Sequence, residues 1–245
     1  MKKLALALAL TPLLTPSAQA LELNKEFNLD LTLSALSDYR PRGISYTQGD
    51  PALQFDALLS SNSTGLYAGV WSSTVDYGYG SKVRQEIDYY AGWYVPLSER
   101  VALDLGFVKY SYPRGSGDNS SETYAMLSAY GFTLAAQYSD NAIYGGKENS
   151  YLYSWLGYKT KLPYDIDLSA RLGQVDYKDG LLFSKNGKTR DAYREWEVKF
   201  TKAFVGLNWS VAYVDSDLSK HECLYISGFE DTCSADAVFS VSKSF

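Results

Sequence analysis

Apolar and polar residues alternate with a period of two along most of the chain, which is typical of β-strands with one apolar and one polar face. Residues 165–172 alternate without a break, and residues 205–213 place Val, Leu, Trp, Val and Tyr on one face. Segments 27–35 and 53–59 follow the same rule. Few segments have the 3.6-residue spacing of an amphipathic helix, so the pattern predicts an all-β fold.

Turn signals divide the chain into twelve predicted strands, most of them long. The predicted strands are 27–40, 51–60, 65–76, 85–95, 100–112, 122–130, 132–139, 150–160, 165–177, 192–202, 205–214 and 236–245. Strands of soluble proteins average about 5–6 residues, whereas a tilted strand that crosses a bilayer needs about 9–11. These lengths favour a membrane protein. Segments 65–76 and 150–160 are the two whose faces the pattern leaves unassigned.

Short and long connections alternate along the chain. Short turns are predicted at 61–64, 96–99, 131, 161–164 and 203–204, and longer polar or glycine-rich loops at 41–50, 77–84, 113–121, 140–149, 178–191 and 215–235. Outer-membrane barrels have tight periplasmic turns and longer extracellular loops. The sequence therefore predicts a transmembrane antiparallel up-and-down β-barrel of about 12 strands with both termini on the periplasmic side.

Aromatic residues lie near both ends of the predicted strands, and the chain has 22 Tyr, 10 Phe and 5 Trp. Trp93, Tyr130, Phe132, Tyr158, Tyr164, Phe204 and Phe245 lie towards the short turns, and Tyr39, Tyr77, Tyr110, Tyr138, Tyr151, Tyr177 and Tyr193 towards the long loops. Rings with a polar tip suit the headgroup level. The pattern predicts one aromatic girdle at each membrane interface.

The amino terminus has the three parts of a secretory signal peptide. Lys2 and Lys3 are followed by an apolar run over 4–14 and by the small residues Ala18 and Ala20. The apolar run is too short for a membrane-spanning helix, which needs about 20 residues. We predict a Sec-type signal peptide over 1–20, an outer-membrane barrel domain over 21–245, and a location in the outer membrane of a Gram-negative cell.

Charge and cysteine content exclude several classes of function. The formal net charge is −5, and the chain has no basic block, which argues against nucleic-acid binding. One histidine, His221, and two cysteines are too few for a structural zinc site or an iron–sulfur cluster. Asp215 and Asp217 are weak candidates for calcium ligands. We predict no metal, no cofactor and no catalytic residue.

Three segments near the amino terminus carry a family resemblance. Residues 37–45 (SDYRPRGIS), 65–76 (GLYAGVWSSTVD) and 86–93 (EIDYYAGW) resemble motifs of the TorF-type porin family of outer-membrane barrels. The last strand, which ends in Phe245, resembles the carboxy-terminal signal of such barrels, and this implies recognition by the barrel-assembly machinery. The family resemblance implies a channel and supplies no catalytic residues.

The face assigned to the lumen is rich in acidic residues. Its charged residues are the pore candidates Asp30, Asp56, Glu86, Asp88, Asp104, Asp165, Asp167, Arg171, Glu195, Glu197 and Lys199. Nine acidic side chains against two basic ones predict a preference for cations. Alternatively, the charges pair with one another and with loop arginines that fold inward as a plug. These arginines are Arg40, Arg42, Arg84 and Arg114.

Two features of the last loop bear on function. Export to the periplasm predicts a disulfide between Cys223 and Cys233. A barrel hydrolase would need His221 as its general base, but this residue lies among polar loop residues with no evident nucleophile, which favours a solvated histidine.

Taken together, the observations favour a non-enzymatic channel. We expect passive diffusion of small hydrophilic solutes through a lumen that twelve strands make narrow, with outer-membrane lipid as the surrounding partner. One alternative is a structural or adhesive barrel with a plugged lumen that acts through its loops, and the second is an outer-membrane barrel hydrolase.

Overall fold

The structure, a computed structural model, describes residues 21–144 and 147–245. In this part of the chain twelve antiparallel strands form one sheet, in which each strand pairs with its neighbours in sequence and the last pairs with the first. The barrel strands are β1 (Phe27–Leu36), β2 (Ala52–Ser61), β3 (Leu66–Thr74), β4 (Gln85–Ser98), β5 (Val101–Ser111), β6 (Ser120–Ala129), β7 (Phe132–Tyr144), β8 (Lys147–Leu162), β9 (Ile166–Tyr177), β10 (Ala192–Phe204), β11 (Leu207–Ser216) and β12 (Asp236–Ser244). The predicted all-β class and the closed twelve-stranded barrel are confirmed.

The barrel closes where β12 meets β1. Residues 240–244 pair with residues 32–36, and the backbone of Phe245 continues this ladder by exchanging hydrogen bonds with Leu31 at 2.9 and 3.4 Å. The short strand Leu21–Glu22 then pairs with residues 28 and 29 on the same side of β1. Closure matters because lipid offers no hydrogen bonds to an exposed strand edge.

A row of large apolar side chains crosses the outer surface of the barrel. Leu103, Leu127, Leu134, Leu156, Leu172 and Trp196 are direct cross-strand neighbours on six consecutive strands. Leu134 is 59% exposed, and its cross-strand neighbours are also apolar. In water such a continuous exposed apolar surface would be unfavourable. An outward apolar band of this kind is the lipid-facing surface of a transmembrane barrel.

Replacing Leu134 by arginine is expected to lower the free energy of unfolding in lipid vesicles by about 2–4 kcal/mol, because the new charge faces hydrocarbon. The matched control is Thr133→Arg, which places the same charge on the inward face of β7, where Thr133 bonds the Ser128 hydroxyl at 3.0 Å. A urea titration in vesicles measures both. Equal losses for the two variants would contradict the assignment of the outer face.

The aromatic girdle at the short-turn end is confirmed. Trp93, Tyr130, Phe132, Tyr158, Tyr164, Phe204 and Phe245 are all exposed on the outside of the barrel or at its rim. The girdle predicted at the long-loop end is wrong for six of its seven residues, since only Tyr138 is exposed on the outer face. The other six line a cavity inside the barrel: Tyr110, Tyr151, Tyr177 and Tyr193 from inward-facing strand positions, and Tyr39 and Tyr77 from loops.

Two of the tight turns have left-handed backbone at both central positions. Tyr130 and Gly131 have φ of 53° and 87°, and Val205 and Gly206 have φ of 53° and 72°. This is the geometry of two-residue type I′ hairpins, whose twist matches that of the strands. The turn predicted at 203–204 is therefore wrong by two residues, because β10 continues to Phe204.

The long loop predicted at 140–149 is wrong. β7 reaches Tyr144 and β8 begins at Lys147, with a register shift between Ser139 and Ala142. A hairpin that extends beyond the bilayer needs no apolar outer face, so its polar composition does not distinguish it from a loop.

The loops 178–191 and 217–235 pack against each other as a cap at one end of the barrel. It contains a small hairpin of Leu182–Phe183 with Thr189–Arg190 and the helix α1 (Lys220–Ser227). Among residues 21–144 and 147–245, no helix is both long and apolar enough to cross a bilayer. The signal peptide predicted over 1–20 lies outside the described residues.

Candidate functional site

The first long loop, residues 37–51, enters the barrel. Its 3₁₀ turn Pro41–Gly43 contacts the inner wall at β10 and β11. Gly43 has φ of 82°, and a Cβ placed on it would lie 3.1 Å from the Ser216 Cβ and 3.2 Å from the Glu195 Cβ. The loop can approach the wall this closely because glycine tolerates positive φ and has no side chain.

The loop carries Arg42 into the lumen, where it is held by polar atoms and rings. Its guanidinium donates to Glu122 Oε1 at 2.6 Å, to the Tyr151 hydroxyl at 2.7 Å and to Gln137 Oε1 at 3.2 Å. The same group lies over the rings of Tyr151 and Tyr153, at 5.1 and 4.6 Å from their centroids. A charge-assisted bond combined with cation–π contacts fixes the side chain across the passage.

A second ion pair lies on the barrel wall. Arg171 donates from Nε to Glu195 Oε1 at 3.0 Å and from a terminal nitrogen to Oε2 at 3.2 Å. The Tyr153 hydroxyl donates to the same Oε1 at 2.6 Å. Glu195 is fully buried, so this bidentate pair compensates a charge that has no access to solvent.

Inward-facing tyrosines lie flat over glycines of the neighbouring strand. A Cβ on Gly92 would lie 2.4 Å from Tyr67 Cζ, and one on Gly69 would lie 2.3 Å from Tyr90 Cζ. These contacts assign the faces of β3, which the sequence left open: Tyr67 and Trp71 face inward. On β8, Tyr151 and Tyr153 face inward.

The tyrosine hydroxyls on this wall bond the carboxylates of the lumen. Tyr90 donates to Asp56 Oδ1 at 2.7 Å, and Tyr67 donates to Asp104 Oδ1 at 2.6 Å. A hydroxyl orients a carboxylate without removing its charge. The two acids therefore keep their negative charge available to the lumen.

Between the inserted loop and the opposite wall lies a cavity of about 640 Å³. Its acidic lining residues are Asp56, Asp76, Glu86, Asp88, Asp118 and Glu122, and Arg42 is its one basic lining residue among the described residues. Nine tyrosines, Trp71 and Phe229 also line the cavity. Six carboxylates against one guanidinium give the cavity a negative potential, which low-dielectric walls strengthen.

The structure places the predicted pore residues at three levels of exposure. Glu86, Asp88 and Glu195 are buried on the inner face, Asp30, Asp56, Asp104, Arg171, Glu197 and Lys199 are half-buried, and Asp165 and Asp167 are exposed. Asp167 forms an ion pair with Lys161 at 2.8 Å. Asp165 belongs to the turn Pro163–Asp165 rather than to a strand, so its expected position on the lumen face is wrong.

Sequence reasoning missed the buried carboxylate of Glu122. It was the first residue of the predicted strand 122–130, where a polar residue is easily taken as part of the preceding loop. The signal was present, since Glu122 has the same parity as Tyr124, which also faces inward.

The loop arginines differ in where they lie. Arg40 donates to Asp38 Oδ2 at 2.9 Å and to the carbonyl oxygens of Thr232 and Ser234 at 2.9 and 2.5 Å, so it joins the first loop to the last. Arg84 and Arg114 are exposed. Only Arg42, among these four, enters the cavity in the way that the plug alternative expected.

The last loop holds the remaining candidates. Cys223 and Cys233 are joined by a disulfide, and His221 is exposed on α1. Asp217 accepts from Arg190 at 3.2 Å and from the backbone of Arg194 at 2.9 Å. Across residues 21–144 and 147–245, no group of three or more His, Cys, Asp or Glu side chains is arranged to hold a metal ion.

Glu222 anchors the cap through a set of charge-assisted bonds. Arg190 donates to it at 2.7 and 3.1 Å, and the Ser219 hydroxyl donates at 2.7 Å as part of a capping box at the start of α1. Burial alone would raise the pKa of the Glu222 carboxyl, but these hydrogen bonds lower it to about 2. The carboxylate thus stays ionised well into the acidic range.

The lowered pKa predicts an acid-sensitive cap. Stabilisation by Glu222 is complete above its ordinary pKa of 4.5 and is lost as the pH falls towards 2. We expect Glu222→Gln to lower the protection of the α1 amides at pH 7 by on the order of 2 kcal/mol. Hydrogen exchange at several pH values measures this protection. The protection of the α1 amides in the wild type and in Glu222→Gln should become equal near pH 2. A difference that persists there would contradict the role of the charge.

Comparison with known proteins places this barrel in a family. The profile described as "Bacterial protein of unknown function (Gcw_chp)" matches residues 22–245. The chain belongs to the Gcw_chp family. No curated protein matches it.

Two solved porin structures resemble this Gcw_chp protein. A structure of the NanC porin has a TM-score of 0.53 at 9% identity, covering 87% of this chain and 97% of that one. A structure titled "KdgM porin in complex with disordered oligogalacturonate" has a TM-score of 0.50 at 9% identity, covering 89% of this chain and 97% of that one. At this identity the likeness shows the fold: a barrel of the outer-membrane porin type.

Proposed function

We propose that this protein is a small outer-membrane channel that passes small hydrophilic solutes by passive diffusion and prefers cations. The observation that carries the proposal is the charge of the interior cavity, where six carboxylates face one arginine. Rings of acidic side chains favour cations in pores. No catalytic residue is assigned, and the two similar porin structures are consistent with a non-enzymatic function.

The inserted loop supports a narrow passage. Arg42 spans from the loop to Glu122 and Tyr151 on the wall, and nine tyrosine side chains line the cavity beside it. A twelve-stranded barrel already has a smaller bore than the 16–18 strands of open porins. Only small solutes fit such a constriction.

Export, location and assembly complete the proposal. We infer cleavage of the signal peptide after Ala20, residence in the outer membrane of a Gram-negative cell, and recognition of the β12 segment ending in Phe245 by the barrel-assembly machinery. Two observations support this inference. The chain resembles the TorF-type porins, which are outer-membrane barrels, and it belongs to the Gcw_chp family of bacterial proteins.

Refolded protein in a planar bilayer tests the channel directly. With a tenfold KCl gradient, we expect stepwise currents and a reversal potential of the sign that marks K⁺ as the more permeant ion. A reversal potential of the opposite sign would refute the proposed role of the lumen carboxylates.

One observation favours a second candidate function. The first loop fills part of the lumen and is tied to the last loop by Arg40, as expected for a plugged barrel that acts through its extracellular loops. Absence of stepwise current from protein that shifts mobility on a native-versus-boiled gel would favour this structural or adhesive barrel over the channel.

A further inference from the structure

Asp88 is a buried carboxylate without a partner. It lies on the inward face of β4, is 8% exposed and lines the cavity. Its Oδ1 is buried with no hydrogen bond, and the side chain makes no ion pair with any described residue. Burial of an unpaired carboxylate is costly, so such a group takes up either a proton or a cation.

Two more carboxylates lie on the same side of the cavity. Glu86, two residues away on β4, accepts from the Tyr112 hydroxyl at 2.9 Å. Glu122 binds Arg42 through Oε1, while its Oε2 is buried with no hydrogen bond. Among the described residues, Arg42 is the one cation that lines the cavity beside these three carboxyl groups.

On the loop side of the cavity, Tyr39 lies near the carboxyl groups of Glu86 and Asp88. Burial, together with the nearby carboxylates of Glu86 and Asp88, raises the pKa of its hydroxyl well above the ordinary value. The ring packs against Tyr46 and Trp71 at centroid distances of 5.6 and 5.4 Å. These aromatic rings line the same cavity as the carboxylates.

Arg42 shows how this lumen binds a cation. Its guanidinium is held by a carboxylate, a tyrosine hydroxyl and the faces of two tyrosine rings. Around Asp88 the same kinds of groups are present, but no described side chain forms an ion pair with this carboxylate. The cavity of about 640 Å³ also has room, since ligand pockets span about 300–1,000 Å³.

We propose that the cavity beside Asp88 is a binding site for an organic cation, a protonated amine or guanidinium that carries an aromatic or other apolar group. The charged end binds Asp88 and Glu86, and the apolar part stacks on the surrounding tyrosines. This inference rests on the proposed channel for the route by which the solute arrives, but the binding itself needs no ion current.

The chemistry of the site favours an organic cation over a metal ion. Among the described residues, these carboxylates do not converge as a metal-ligating group. A metal ion also gains little from aromatic walls, whereas an ammonium or guanidinium on an apolar body gains from both the charge and the rings.

Calorimetry on the full-length refolded protein in detergent micelles tests the proposal, with 2-phenylethylammonium as the probe and 3-phenylpropionate as an anionic probe of similar shape. We expect the first to bind and the second not to bind. Asp88→Asn should weaken binding about tenfold or more, because the ion pair to a buried carboxylate is lost. Asp88→Glu should retain binding.

Asp104→Asn is the matched control, because Asp104 faces the lumen but does not line this cavity. Equal affinity for both probes, or an unchanged affinity in Asp88→Asn, would overturn the proposal. Binding of Ca²⁺ that is lost in Asp88→Asn, without binding of the ammonium probe, would also overturn it in favour of a metal site.

The calorimetric result is independent of the channel. Protein that binds the probe but carries no current would contradict the proposed channel and leave the site standing. Protein that conducts but fails to bind the probe would contradict the site and leave the channel standing.

Discussion

Replacing Arg42 by alanine is expected to raise the single-channel conductance about two-fold or more and to strengthen the preference for K⁺ over Cl⁻. The guanidinium crosses the passage to Glu122 and Tyr151, so its removal widens the constriction. It also removes the one positive charge that the described residues contribute to the cavity lining, and Glu122 loses its ion-pair partner. Conductance and reversal potential in a planar bilayer measure both changes.

The control for this experiment is Arg114→Ala. Arg114 is also a loop arginine, but it is exposed and does not line the cavity. Its loss should leave conductance and selectivity close to those of the wild type. If both variants behaved alike, the constriction by the first loop would have no support.

Replacing Arg171 by methionine is expected to lower the free energy of unfolding by about 3–5 kcal/mol, the usual cost of leaving a buried charge without its partner. Glu195 has no solvent access and receives two hydrogen bonds from Arg171. The Tyr153 hydroxyl remains, but one neutral donor does not replace a bidentate guanidinium. Urea titration in lipid vesicles at pH 7 measures the loss.

Two further variants separate charge from packing in this prediction. Lys199→Met removes a half-buried cation of the same wall for which no ion pair is seen among the described residues, so we expect a change below about 1 kcal/mol. The double variant Arg171→Met/Glu195→Gln removes the buried charge and should recover part of the stability. No recovery would show that the loss comes from packing around the arginine.

The strands of the barrel were predictable because the alternation of apolar and polar residues is a local property of each strand. A strand with lipid on one side and a wet lumen on the other must alternate, and residues 165–172 and 205–213 show this without reference to the rest of the chain. The exposed rings at the short-turn end, such as Phe132 and Tyr158, were predictable for the same reason.

The residues that line the interior were less predictable, because tyrosine is equally suitable at the membrane interface and in a polar lumen. Tyrosine suits both the headgroup level and a polar lumen, so position near a strand end did not show that Tyr151 and Tyr177 face inward. The same ambiguity hid the face of β8, which carries aromatic residues on both sides, and on β3 the inward rings of Tyr67 and Trp71 left no clearly polar face. Parity within one strand was a better guide on β6, where Glu122 and Tyr124 share a face.

The inward fold of the first loop was raised only as an alternative, because loops carry no periodic signal. What fixes it is tertiary: Gly43 fits against Ser216 and Glu195, and Arg42 finds partners on β6 and β8. None of these partners is near residue 42 in sequence, so local patterns hold no information about them.

Arg40 connects the last long loop to the first long loop, which enters the lumen. Two residues before Arg42, it donates to the carbonyls of Thr232 and Ser234, which flank Cys233 of the disulfide. The loop that carries Arg42 into the lumen is therefore tied to the segment that the disulfide crosslinks. Reduction of that disulfide would loosen the anchor of the inserted loop, although neither cysteine lines the cavity.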